Sequence, residues 1–143
     1  MATRKDPYHG YNFRVEIDGI HRAGFREASG LDSSQEPVDY REGDDKALTA
    51  RKLPALVKYG NLTLKWGVSD DKDLWQWRQD VASGQVARKN LSVVLLDDTG
   101  SEKVRWNFRE AWPSKWSGPS FNATSNDVAI DTLEIVHEGI ARA

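Results

Sequence analysis

The residues best able to do chemistry are few, and their spacing argues against a catalytic site. The histidines, His9, His21 and His137, show no metal-ligand spacing. Cysteine is absent, which excludes disulfides and thiolate metal sites. Asp70, Asp71 and Asp73 resemble the start of a calcium loop, but the glycine and the later glutamate that such a loop needs are missing. The same carboxylates at the head of a helix would complement its dipole. Asp97-Asp98-Thr99-Gly100 reads as a turn. The sequence holds no phosphate-cradling glycine loop and no Gly-x-Ser-x-Gly elbow, and no carboxylate pair stands out for glycoside cleavage. Aromatic and basic residues alternate over 104–109 as in single-strand binders. A strand with an apolar inner face and a charged outer face gives the same pattern. No catalytic, metal or cofactor residue is assigned, and no enzyme activity is expected.

The bulk properties narrow the class. A chain of 143 residues fits one domain, and 38% apolar residues suffice for a real core. Charged residues make up 29% with a formal net charge of −2, which argues against a nucleic-acid coat and its basic surplus. The N-terminal stretch from Met1 to Tyr11 is polar, with no signal-peptide core, and no run approaches the roughly 20 apolar residues of a membrane helix. Assembly in a reducing cytoplasm is expected, without a classical export signal and without membrane insertion by the chain alone.

The elements that could position anything are mostly strands. Tyr11, Phe13, Val15 and Ile17 alternate with Asn12, Arg14, Glu16 and Asp18, the period of a half-buried strand. Asp18-Gly19 then predicts a hairpin turn into a return strand over 20–31. A third strand is expected over 34–42, edge-placed or bulged because Pro37 cannot donate to a ladder. Residues 43–58 read as a long loop, the kind that tends to be functional, and Leu48, Leu53, Leu56 and Val57 equip it to dock. A strand over 58–67, a helix over 71–82 capped by Ser69 or Asp70, and strands over 88–97, 102–112 and 127–138 follow. The stretch 113–126 looks irregular, and a parity switch predicts a bulge or change of sheet near Asp131-Thr132.

These elements predict a mainly β domain of about seven strands, an antiparallel sandwich or partial barrel with one flanking helix. Its expected core is Phe13, Val15, Ile17, Leu62, Leu64, Trp66, Leu74, Trp77, Val81, Leu91, Val93, Leu95, Trp106 and Phe108. Six tryptophans are many for this length. Trp66, Trp77 and Trp106 fall on apolar faces, while Trp75, Trp112 and Trp116 suit a protein interface.

Three blocks then carry a resemblance. The first runs from Asp6-Pro7-Tyr8 through Asn12–Gly19, Ala23-Gly24-Phe25 and Ala28–Leu31. The second joins Tyr40–Gly43 to Arg51-Lys52-Leu53-Pro54 and Lys58–Lys65. The third runs from Trp106–Pro113 through Lys115-Trp116 and Gly118-Pro119 to Asn126–Ile130 and Glu138-Gly139. Together they resemble the tail tube proteins of contractile phages and of phage-derived extracellular contractile injection systems, over nearly the whole chain.

The resemblance implies two packed antiparallel sheets with a flanking helix. It also implies homohexameric rings whose inner sheets join as a barrel of about 24 strands. The rings would stack into a rigid tube inside a contractile sheath protein, on baseplate or tube-initiator proteins, and DNA or protein effectors would pass down the lumen. By the same resemblance the segment 43–58 would reach the next ring, with Asp44, Asp45, Arg51, Lys52, Leu53, Pro54 and Leu56 as contacts. Pro37, Trp75, Trp112 and Trp116 are the candidates between neighbours within a ring, and the 20–42 hairpin is the candidate for the lumen wall. A single-ring initiator or terminator paralogue is the near alternative. A small carbohydrate-binding sandwich with Trp112 and Trp116 as a stacking platform is the distant one, and a hydrolase with an unrecognised acid pair is a third.

Overall fold

Alternation at the N-terminus produces β1 (Phe13–Ile17), with Val15 and Ile17 buried and Arg14 and Glu16 in water. The computed structural model describes residues 6–20, 24–43, 50–124 and 126–143. Among these, nine strands and one helix follow in the order β1, β2 (Phe25–Ser29), β3 (Ser33–Tyr40), β4 (Arg51–Tyr59), β5 (Leu62–Gly67), α1 (Asp73–Ala82), β6 (Lys89–Leu96), β7 (Glu102–Ser117), β8 (Ile130–Val136) and β9 (Gly139–Arg142). The fold is mainly β, with two antiparallel layers and a helix. In the first layer β6 lies between β1 and β7, and β9 pairs with the other side of β7. In the second, the order is β7, β8, β5, β2. The strand β7 belongs to both.

How β7 changes layer is legible in its backbone. Between the pairs Leu91↔Phe108 and Lys89↔Ala111 it carries one residue more than β6, and Glu110 within that bulge has a positive φ of 52°. Glu110 N–H donates to the Asn90 side-chain oxygen at 3.3 Å. Beyond Ala111 the strand pairs with β8 instead.

The core fills the space between the layers. Val15, Ile17, Leu91, Val93 and Phe108 enter it from the first layer, and Leu62, Leu64, Trp66, Leu133 and Ile135 from the second. Leu74 and Trp77 of α1 close it, the indole of Trp77 donating to the Ala87 carbonyl at 2.8 Å. Phe13, Val81 and Trp106 are half-buried against this cluster, and Leu95 is half-buried outside it. Val94 is also fully buried, but on the other face of its strand, between Arg14 and Arg105 in the ladder. Arg105 there bonds Glu16 at 2.9 Å and Glu102 at 2.5 Å.

Several sequence expectations are corrected. The Asp18-Gly19 turn exists, with Gly19 at φ 74° and Ile20 N–H bonded to Ile17, but it opens no β1–β2 hairpin. β1 pairs with β6 and β2 with β5, and Val15 and Ile17 stand opposite the apolar Val93 and Leu91 in that ladder. The expected 20–42 hairpin is likewise absent, since β2 and β3 do not pair with each other. Residues 51–58, expected in a loop, form β4, and the expected 58–67 strand is divided between β4 and β5 at Gly60-Asn61. The stretch 113–117 is strand, because Pro113 is buried beside its ladder partner Ile135 and the pairing with β8 runs on to Ser117. The bulge expected near Asp131-Thr132 sits in β7 instead, between Pro113 and Lys115, while β8 keeps unbroken register with β5. The helix begins at Asp73 without a side-chain cap on Lys72. Asp71 instead accepts from the Asp73 N–H at 3.0 Å.

Candidate functional site: an assembly surface

Two features of the chain are incomplete in isolation. The first is an arm. β3 and β4 pair only with each other, from Ser33↔Tyr59 to Tyr40↔Arg51. The arm extends the β2–β5 pair, whose ladder ends at Ser29↔Thr63. At the neck between the two pairs, Gly30 has φ 92°, and a Cβ there would sit 2.0 Å from the Asn61 carbonyl oxygen. Only glycine lets the two backbones approach so closely. Gly60 N–H donates across the neck to the Asp32 carbonyl at 3.0 Å.

The arm carries its apolar side chains into solvent. Leu56 is 85% exposed, and Val38, Tyr40, Leu53 and Val57 are exposed with it. No residue of β3 or β4 is buried. An isolated two-stranded hairpin is marginal in water, so this one needs a partner to be held. Pro37 faces Pro54 across it, and the register shifts there between Gln35 and Pro37, since neither proline offers an N–H to the ladder. Lys52 Nζ donates to Asp39, and both groups are solvent-exposed.

Thus Arg51, Lys52, Leu53, Pro54 and Leu56 lie together on β4, and Pro37 is brought to the same arm. Asp44 and Asp45 lie outside the described residues. Val38 and Tyr40 belong to this surface too, and nothing in the alternation of 33–40 separates an outward strand from a half-buried one.

The second feature is a pair of open edges on the second layer. β2 and the end of β7 are its outermost strands. The layer has four strands, each antiparallel to its neighbour, so the two edges run in opposite directions. Its outer face is polar, with Lys65–Glu27 at 3.4 Å and Lys115–Glu134 at 4.0 Å. Beside the β7 edge, Trp75 of α1 meets Trp116 edge-on, centroids 4.4 Å apart. Trp112 is half-buried opposite Val136. Trp116 therefore presents no open stacking platform with Trp112.

Among the described residues, the titratable groups with shifted pKa values do not converge on one centre. Asp97 is held down to about 2 by the Thr99 hydroxyl and the Ser101 N–H, which it accepts in the β6–β7 turn. Burial pushes His137 below its ordinary value, with Nε2 at 3.1 Å from the Gly60 carbonyl. Among the described residues no group of three or more His, Cys, Asp or Glu could hold a metal, and no helix is long and apolar enough to cross a membrane.

Similarity to known proteins agrees with this architecture. No curated protein sequence matches the chain significantly. A chain of the PVC sheath–tube complex of an extracellular contractile injection system is 30% identical, with a TM-score of 0.85, covering 96% of this chain and 91% of its own. A chain of the tube-terminating cap of the anti-feeding prophage is 28% identical with a TM-score of 0.88, over 100% and 95%. A chain of the PVC sheath/tube terminator is 29% identical with a TM-score of 0.88, over 99% of each. The family model described as T4-like virus tail tube protein gp19 matches residues 9–141. An open-edged layer with a solvated arm is what a subunit built for polymerisation requires, and the chain belongs to the T4-like virus tail tube protein family, as a structural subunit of a tail tube.

Proposed function

We propose that copies of this chain close into hexameric rings by joining the β2 edge of one copy to the β7 edge of the next, and that the rings stack through the β3–β4 arm. The observation that carries this reading is the antiparallel four-stranded layer with opposed edges. An even number of alternating strands lets each joint be antiparallel as well, so the sheet can close on itself without a mismatched ladder. Six such layers make a barrel of about 24 strands. At about 4.8 Å spacing and about 40° tilt its backbone diameter is roughly 45–50 Å. The polar face with Lys65, Glu27, Lys115 and Glu134 suits a wetted bore. This replaces the 20–42 segment as the candidate wall.

The arm supplies the axial contact. Leu53, Leu56, Val38 and Val57 contribute most of its energy by burial against the next ring, at about 25 cal/mol per Å², and exposed pairs such as Lys52–Asp39 add little. Such a tube sits inside a contractile sheath on a baseplate, acts mechanically rather than as an enzyme, and conducts cargo. Similarity to injection-system chains at 28–30% identity supports a particle of that kind. Negative-stain microscopy of the purified protein tests the reading. Six-fold rings or hollow tubes are expected, and a monodisperse monomer at high concentration overturns it.

A further inference from the structure

An apolar cleft of about 230 Å³ opens between the free margins of the two layers, where β1 and β2 end the sheets. Phe13, Ala28, Leu31, Val93, Leu95 and Trp106 line it, with Arg26 and Glu27 at its rim. On the opposite edge, Trp75 stands 40% exposed beside Trp116. We propose that this cleft receives Trp75 on the α1 flank of the adjacent copy in the ring.

The register supplies the geometry. Ala28 pairs with Leu64, Leu64 with Leu133, and Leu133 with Trp116. These four side chains form one row across the core face of the second layer, from the β2 edge to the β7 edge. Side-chain parity is conserved along a continuous sheet, so joining the edges continues the core face of one copy into that of the next. Trp116 of one copy and Ala28 of its neighbour then lie on the same face on either side of the joint. Trp75, seated on Trp116, is carried over the joint to the cleft that Ala28 borders.

The chemistry fits on both sides. A half-exposed indole meets an apolar slot open to solvent, the arrangement of an interfacial anchor. Both margins carry mixed charge, Asp71 and Lys72 beside Trp75 and Arg26 and Glu27 at the rim, so neither side repels the other by net sign. The occupant is a second copy, because the edge that presents the tryptophan and the edge that holds the cleft are the two ends of one layer. The inference rests on the ring reading above.

The chain has no cysteine, so introduced thiols report without background. Arg26→Cys and Lys72→Cys, combined and treated with a short bismaleimide, should give a ladder of covalent multimers from assembled particles, whereas neither single variant forms the ladder. Trp75→Ala should raise the concentration needed for ring assembly about tenfold or more, as loss of a tryptophan anchor does. Its melting curve should stay close to the parent's. Rings that form normally with Trp75→Ala, or assembled double-cysteine particles that link only within a chain, overturn the docking and leave the ring intact. Absence of rings from the unmodified protein overturns both.

Discussion

The imidazole of His137 donates from Nε2 to the Gly60 carbonyl, 3.1 Å away, and so ties the β8–β9 turn to the neck of the arm. Its ring lies between Tyr59 and Phe108, with centroids 5.5 and 4.8 Å off. Nδ1 is buried without a partner in hydrogen-bond geometry among the described residues.

A pH dependence follows from this contact. Burial lowers the His137 pKa in the folded state, against the opposite pull of the Gly60 and Gly139 backbone. The unfolded chain, with its histidine near 6.5, therefore binds the proton more readily. The stabilisation is present above about pH 6.5 and is lost as the pH falls through that value toward the lower folded pKa. His137→Gln, which keeps a donor for Gly60 without titrating, should flatten the fall in melting temperature between about pH 7.5 and about pH 5. An unchanged pH profile would remove His137 from this role.

The neck should tolerate no side chain at Gly30. Its left-handed backbone alone costs a non-glycine residue roughly 1–3 kcal/mol. A Cβ 2.0 Å from the Asn61 oxygen adds a clash with backbone that cannot swing aside. Gly30→Ala should lower stability by at least that amount in chemical denaturation, while Gly10→Ala, with nothing within 4 Å, should be close to neutral.

On the arm, Leu53→Asp should leave the circular dichroism spectrum and melting temperature unchanged, because Leu53 touches no core. It should abolish stacking, leaving single rings in micrographs. Tubes of ordinary length from this variant would refute the axial role of the arm.

Within the body, Phe108→Ala should destabilise the chain by about 3–5 kcal/mol, the usual cost of truncating a buried phenylalanine. Phe108 is 1% exposed and packs where both layers and His137 meet. A loss below about 1 kcal/mol in urea titration would mean that the site collapses around the cavity.

Alternation determined much of this protein by itself. Val15 and Ile17, Leu62, Leu64 and Trp66, and Leu91 and Val93 face inward because a period of two leaves an apolar face nowhere else to go. Leu74 and Trp77 on one helical stripe were an equally local fact. Pairing was not, because a strand's cross-strand partner depends on which apolar faces meet across the fold. Tertiary structure alone gave β1 to β6 rather than β2, carried β7 through a Glu110 bulge from one layer to the other, and drew 51–58 into a strand. The arm was hardest to foresee. Leu53 and Leu56 read as docking residues of a loop, whereas the neck at Gly30 and Gly60 carries them off the body on a paired strand, and that close approach is made by backbones about thirty positions apart in the chain.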